Sequence, residues 1–317
     1  MVAGVAARPL ALVLTGPTGT GKSALALELA QQLPLEIVSV DSAQVFRGMD
    51  IGTAKPTAAE RASVRHHLLD IRDPAERYSA GDFVRDAVAV MAEIRVRGQV
   101  PLLVGGTMLY LRALLQGMAE LPPASATIRA AIDAEAAMVG WPAMHRQLQS
   151  IDPQAAMRIH PNDPQRIQRA LEVQRLTGRP LSEWQRDTAA AGSAFRWLRI
   201  ALIPADRERH RQALTERFGA MVQAGLPAEV RQLYERGDLD PQLPAIRAVG
   251  YRQLWEWCAG RQSLETAAEA AIVATAQLAK RQLTWLRATP ELMRFDPVES
   301  RSRVQLTDLV KKTVESR

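Results

Sequence analysis

An α/β fold, a parallel sheet interrupted by a helical insertion, is what this sequence predicts, and three observations predict it. A short apolar run from Leu10 to Thr15 ends in glycine-rich sequence, and Ser23 to Leu33 then repeats apolar residues at helical spacing, giving a strand, a loop and a helix in order. Further apolar runs of strand length, Glu36 to Val40, Val100 to Val104 and Trp197 to Ile203, alternate with helical patterns such as Gly81 to Arg97, the arrangement of a parallel sheet. From Leu121 to Ala194 the character changes: Pro122, Pro123, Pro142, Pro153, Pro161, Pro164 and Pro180 punctuate arginine-rich helical pattern. The predicted domains are therefore a core of residues 1–120 and 195–317 and a helical insertion of residues 121–194. Helices over Arg207 to Ala224, Ala228 to Arg236, Tyr251 to Ala259 and Leu264 to Arg287 complete the core, and Ser300 to Arg317 reads as a mobile tail.

The bulk numbers set limits. A chain of 317 residues with 47% hydrophobic content can bury a core and hold two domains. Lys and Arg number 40 against 34 acidic residues, a net +6, which suits a polyanionic partner. Only Lys22, Lys55, Lys280, Lys311 and Lys312 are lysines, so the positive charge is nearly all arginine, the side chain that meets phosphate bidentately. Cys258 is the single cysteine, which rules out an intrachain disulfide and a thiolate cluster for zinc. The start carries no secretory pattern and no apolar stretch reaches membrane-spanning length, so a cytoplasmic protein is expected.

Gly16-Pro17-Thr18-Gly19-Thr20-Gly21-Lys22-Ser23 matches G-x-x-x-x-G-K-[ST] between a predicted strand and a predicted helix. The glycines let backbone N–H groups wrap a phosphate, Lys22 adds a point charge, and the Ser23 hydroxyl is a ligand for magnesium. The core is thus P-loop NTPase-like. By motif alone such a loop holds ATP and reports a diphosphate or triphosphate, leaving a kinase or an NTPase open. Asp41-Ser42-Ala43-Gln44-Val45-Phe46-Arg47 follows directly on the second strand, at the edge where ligands bind in open α/β sheets. Its carboxylate is expected to face the same crevice as the loop.

Asp41 to Pro56, following GPTGTGKS, resembles the signature of the tRNA dimethylallyltransferase family. Gly105 to Tyr110, Pro161 to Glu172, Arg247 to Gln253 and Gln277 to Trp285 are similar to further blocks of that family, in family order over nearly the whole chain. Phe46 stands where the family usually has tyrosine, and the finger of the eukaryotic relatives is absent, so the type is bacterial.

The resemblance implies transfer of a dimethylallyl group from dimethylallyl diphosphate to N6 of an adenosine beside the anticodon, with magnesium as cofactor. It implies Arg217 as a pyrophosphate clamp beside the loop Gly16 to Ser23, Asp41 as the group that accepts or orients the N6 proton, and Thr107 as its assistant. RNA contacts are expected from Asp41, Ser42, Ala43, Gln44, Arg47 and Thr107, from Arg129, Gln165, Arg166, Ile167, Gln168 and Arg169 in the insertion, and from Arg247 and Arg252. A base stacked in an anticodon loop must be extruded to reach such a site. A rival with the same loop and aspartate acts on free adenine nucleotides. The partners expected are a tRNA anticodon stem-loop and dimethylallyl diphosphate, and the expected state is a monomer. His66 and His67 have no third ligand at metal spacing, and Trp255, Trp257 and Trp285 read as packing aromatics.

Overall fold

The computed structural model describes residues 8–119, 121–186 and 194–317. The chain divides into two compact units, Met1–Arg112 with Ser193–Arg317, and Ala113–Gly192. Its strands are β1 (Leu10–Thr15), β2 (Leu35–Val40), β3 (His66–His67), β4 (Val100–Gly105), β5 (Arg196–Leu202) and β6 (Met293–Phe295). The helices are α1 (Lys22–Gln32), α2 (Ala58–Ser63), α3 (Ala80–Val96), α4 (Met108–Gln116), α5 (Ala126–Val139), α6 (Trp141–Ile151), α7 (Pro153–Arg158), α8 (Pro164–Thr177), α9 (Leu181–Arg186), α10 (Arg207–Gln223), α11 (Leu226–Glu235), α12 (Tyr251–Cys258), α13 (Leu264–Arg287) and α14 (Ser300–Glu315).

The sheet runs β3-β2-β4-β1-β5-β6, and every pairing among the described residues is parallel. This is the predicted α/β, P-loop NTPase-like core, widened by the edge strands β3 and β6. In β1, Leu10, Leu12 and Leu14 join Leu25 and Leu29 of α1 and Leu306 and Val310 of α14 in one cluster. Ala11 and Val13, which point to the other face, are as deeply buried. Covering both faces is what makes the strand an unbroken apolar run.

One expectation is corrected here. Ser300 to Arg317 is no mobile tail: α14 lays Leu306, Val310 and Val314, all under 3% exposed, into the core cluster. Their spacing of four residues makes one buried stripe on an otherwise charged helix.

Register is the feature that prepares the site. Thr15 of β1 pairs with Gly105 of β4, and Gly105 pairs with Val40 of β2. The three strands therefore end side by side, and Gly16, Asp41 and Gly106 leave the sheet at one edge. The approach is close: a Cβ on Gly105 would lie 2.2 Å from the Val40 carbonyl oxygen, so only glycine fits there.

The helical unit is built on α5 to α9 around Ile132, Met144, Leu148, Ile167 and Leu171. Its prolines open helices: α6, α7 and α8 each carry one in their first two positions, where the missing N–H costs nothing. Asp152 and Asp163 cap α7 and α8 by accepting from Ala155 N and Arg166 N.

The segment after β2 is held by a buried cation. Lys55 Nζ, its side chain 1% exposed, donates to Asp50 Oδ1 at 2.8 Å, Asp70 Oδ1 at 2.6 Å and the Phe46 carbonyl at 2.5 Å. Burial alone would raise the Asp70 carboxyl, but hydrogen bonds from Lys55 and Arg61 more than offset it and leave the group below its usual range. A depressed carboxyl contributes stability that is present above its ordinary value of about 4 and is lost as pH falls through the folded value. Lys55→Met, which leaves Asp70 with Arg61 alone and the exposed Asp50 to water, is therefore expected to cost about 1 to 2 kcal/mol at pH 7. Denaturant unfolding at pH 7 and at lower pH should show that penalty shrinking with acid.

Candidate active site

The strand ends open on a cavity of about 540 Å³ within the sheet unit. Thr18 and Lys22 of the loop line it, together with Asp41, Ser42, Ala43, Thr107, Arg217 and Arg247. Apolar side chains fill another part of the wall: Leu214, Phe218 and Met221 from α10, Leu278 and Trp285 from α13. One chamber thus offers cations, a carboxylate and a greasy surface.

The glycine-rich loop turns from β1 into α1 through Gly19 and Gly21, both with left-handed backbone (φ 79° and 75°). Lys22 Nζ donates to the Pro17 carbonyl at 2.8 Å, and Arg217 Nη1 donates to Thr18 Oγ1 at 2.6 Å. The two cations thus rest on loop oxygens at the cavity wall. Burial and, after it, the Arg217 charge lower the Lys22 ammonium to about 8 against the opposing pull of Asp41. Burial likewise lowers the Arg217 guanidinium against Asp41. Asp41 is therefore within electrostatic reach of both.

Asp41 Oδ1 accepts from Ala43 N at 2.8 Å and Gln44 N at 3.3 Å, a turn that fixes the carboxylate and leaves Oδ2 without a hydrogen bond among the described residues. Thr107 Oγ1 accepts from Ser42 N at 3.0 Å, which ties the end of β4 to the start of the Asp41 turn. The Gln44 amide is spent inside its own loop, accepting from Ser39 Oγ and donating to the Thr53 and Ala54 carbonyls. Arg47 is exposed, beside Glu76 and the Asp70 carbonyl, and does not line the cavity. Arg252 is exposed at the start of α12 and also lies off the cavity.

A carboxylate outside the cavity shapes its rim. Glu229 of α11 accepts from Asp50 N, Ile51 N and Gly52 N at 2.9, 2.8 and 3.2 Å, and from the Tyr251 hydroxyl at 2.5 Å. Gly52, Thr53 and Tyr251 line the chamber, so α11 sets where that rim stands.

In the helical unit, Glu172 is wholly buried and takes both carboxylate oxygens to Arg129, at 2.9 and 3.0 Å, while Arg169 donates at 2.6 Å and Ser125 N at 2.8 Å. These bonds outweigh the burial that would raise its carboxyl, which stays below the usual range. Gln165 and Arg166 are exposed, and Gln168 donates to Asp133 at 2.6 Å. Ile167 is a correction: at 0% exposure it belongs to the unit's apolar core, and its backbone N–H bonds the Asp163 carbonyl, so it has no free group to offer RNA.

Several wall residues escaped the sequence reading. Trp285, expected as packing, lines the chamber, as do Phe218, Met221 and Arg281. Gln282, 8% exposed, accepts from Thr18 N at 2.9 Å and donates to the Gly106 carbonyl at 2.8 Å. Trp255 is buried as expected, and His67 bonds the Glu36 carboxylate.

No group of three metal-ligating His, Cys, Asp or Glu side chains occurs among the described residues. Ser23 is exposed beside a separate cavity of about 150 Å³ and makes no hydrogen bond among them. One unengaged hydroxyl fits a hard cation held mainly by phosphate oxygens and water, as magnesium is. No described helix is long and apolar enough to cross a membrane.

A phosphate-type loop, a fixed carboxylate and an apolar wall in one chamber define a group-transfer enzyme on the P-loop NTPase-like fold. The model of the IPP transferase family matches residues 44–289. The tRNA dimethylallyltransferase of Thioalkalivibrio sulfidiphilus is 56% identical over 302 residues, covering 94% of each chain. That of Bordetella pertussis is 54% identical over 291 residues, 91% of this chain and 93% of the relative. The crystal structure of the Bacillus halodurans tRNA isopentenylpyrophosphate transferase aligns with a TM-score of 0.70 at 36% identity, covering 98% of this chain and 97% of that one. A eukaryotic dimethylallyltransferase acting on tRNA aligns with a TM-score of 0.84 at 25% identity, covering 98% and 80%. The chain belongs to this family, the tRNA dimethylallyltransferases, in its bacterial form, as its motifs predicted.

The Lys22 value has a measurable consequence. An anion prefers the ammonium form, so affinity is flat below about 8 and falls as pH rises through it, by up to about tenfold per pH unit. Isothermal titration of inorganic pyrophosphate from pH 7 to 9.5 should show that step. Lys22→Arg, charged throughout, should lack it, which separates the lysine from the ionisation of pyrophosphate itself.

Proposed function

We propose that this chain transfers the dimethylallyl group of dimethylallyl diphosphate to N6 of an adenosine beside the anticodon of a tRNA, releasing pyrophosphate. The observation that carries this reading is the placement of Asp41, with one carboxylate oxygen fixed and one unengaged, on the same wall as Lys22, Thr18 and Arg217. The tRNA dimethylallyltransferases that share above 50% identity with the chain support the substrate pair.

The diphosphate sits on the loop amides from Gly19 to Ser23, with Lys22 and Arg217 leaving Pro17 and Thr18 to meet its oxygens. The five-carbon tail lies along Phe218, Met221, Leu278 and Trp285, which exclude water from the allylic carbon. The adenine enters past Thr107 and Asp41. N6 attacks C1, the C1–O bond breaks, its electron pair leaves on pyrophosphate, and the N6 proton passes to Asp41 Oδ2. Donors aimed at the leaving oxygens stabilise the charge that develops there, and one such donor is worth about 3 to 4 kcal/mol. Ser23 with the phosphate oxygens would hold magnesium, which would neutralise part of the diphosphate charge.

RNA grip comes from Gln165, Arg166 and Arg169 with Arg129 in the helical unit, and from Arg247 and Arg281 at the cavity mouth. Arg166, its side chain 71% exposed, is the most available of the helical set. Charged side chains of this kind fix the phosphate backbone and do not read sequence.

The test is transfer of a labelled dimethylallyl group to an unmodified anticodon stem-loop, with AMP in parallel. Asp41→Asn, which keeps an acceptor for Ala43 N, is expected to lower kcat by about 10² to 10⁴ while leaving pyrophosphate binding near wild type. Labelled AMP with unlabelled RNA would overturn the tRNA assignment, and full activity of Asp41→Asn would overturn the role of Asp41.

A further inference from the structure

One residue of the loop is held by three side chains at once. His210, Leu214 and Arg217 stand at i, i+4 and i+7 on α10, a single face of that helix. His210 Nε2 lies 2.9 Å from the Thr18 carbonyl oxygen, and since a carbonyl has no proton to give, the ring donates through Nε2–H. Arg217 meets the Thr18 hydroxyl at 2.6 Å, and Gln282 of α13 accepts from Thr18 N at 2.9 Å. Between them, Leu214 packs so tightly on the loop that a Cβ on Gly19 would come within 2.6 Å of its Cδ2. His210 is 9% exposed and Gln282 8%, so both bonds are sheltered from water.

This hold decides which way the loop's donors face. Pro17 has no N–H, and the N–H of Thr18 is taken by Gln282, so Gly19 to Ser23 must supply the amides that meet an anion. In a planar trans peptide the carbonyl and the following N–H point in opposite directions. Tying the Thr18 carbonyl to His210 therefore turns the Gly19 N–H away from α10 and stops that peptide from flipping. Gln282 adds the second constraint, because its Nε2 donates to the Gly106 carbonyl at 2.8 Å and so locks the loop to the end of β4, next to Thr107.

We infer that His210, from outside the chamber, and Gln282, from its wall, are positioning residues for the diphosphate loop, preorganising its amides through their bonds to Thr18. This rests on the loop being the diphosphate holder. Pyrophosphate binding needs no RNA, so failure of the positioning role reads out separately from failure of the transfer reaction.

The experiment titrates inorganic pyrophosphate into the full-length protein and its variants by calorimetry, with thermal melts alongside and KM measured for both substrates. His210→Ala is expected to weaken pyrophosphate about tenfold and to raise KM for dimethylallyl diphosphate in step, with KM for the RNA stem-loop unchanged to within about twofold. His210→Gln, which restores an amide N–H, should recover most of the loss. Gln282→Met, which removes both bonds without adding charge, should weaken pyrophosphate by a comparable factor. Pyrophosphate affinity within about twofold of wild type in both His210→Ala and Gln282→Met would overturn the inference. So would variants that lose melting temperature while binding pyrophosphate unchanged. Were His210→Ala to misfold, Gln282→Met carries the same decision.

Discussion

The close parallel register of β2, β4 and β1 is the constraint from which the site follows. Thr15, Gly105 and Val40 lie side by side, and a side chain at Gly105 would collide with the Val40 backbone. Because the strands finish in line, the loop after β1, the Asp41 turn after β2 and the Gly106-Thr107 turn after β4 reach the same edge without long connections. A one-residue slip in any of the three would exchange the faces of its side chains. It would also part the carboxylate from the cations, so apolar pairing deep in the sheet determines electrostatics at its rim.

The rim is organised so that its cations are held in place, yet not neutralised, before any ligand arrives. Lys22 rests on the Pro17 carbonyl and Arg217 on the Thr18 hydroxyl, oxygens that neutralise neither charge. A diphosphate offers anionic oxygens instead, so the exchange is favourable and needs little reorganisation. Lys22, shifted to about 8 by burial and by Arg217, is the group most sensitive to that exchange. Asp41 has the opposite design: two backbone N–H groups restrain one oxygen and leave the other to act. The Glu229 carboxylate, saturated by three amides and the Tyr251 hydroxyl, stays clear of the chemistry and holds the rim in place.

How much of this was legible in the sequence depended on whether a signal was local. The loop from Gly16 to Ser23 and the Asp41 turn follow strong apolar runs, so motif and context appear together, and the parallel sheet could be inferred from the alternation of runs. The edge strands could not: His66–His67 and Met293–Phe295 are too short to show any period. The stripe Leu306, Val310 and Val314 was masked by the lysines, arginines and serines around it. Ile167 lay inside a block that resembled an RNA-contacting stretch, and only the packing of α8 separates its buried side chain from its exposed neighbours. Glu172 is harder still, since a carboxylate with no exposure is identified only by the two arginines that satisfy it.

Half of the chamber is supplied by sequence on the far side of the helical unit. Lys22, Asp41 and Thr107 precede Ala113–Gly192, whereas Arg217, Gln282 and Trp285 follow it. The link between the halves is β5, which pairs with β1 from Leu10 to Thr15 and delivers α10 beside the loop. Loop closure over an inserted segment costs free energy that grows only logarithmically with its length, whereas each buried apolar side chain of β5 contributes about 1.5 to 3 kcal/mol. Ile200 and Leu202 are both buried, which is enough to offset the added closure cost. A phosphate loop in isolation is generic; what makes this one specific is that its Thr18 is completed by α10 and α13, helices that can reach it only after the sheet has closed across the insertion.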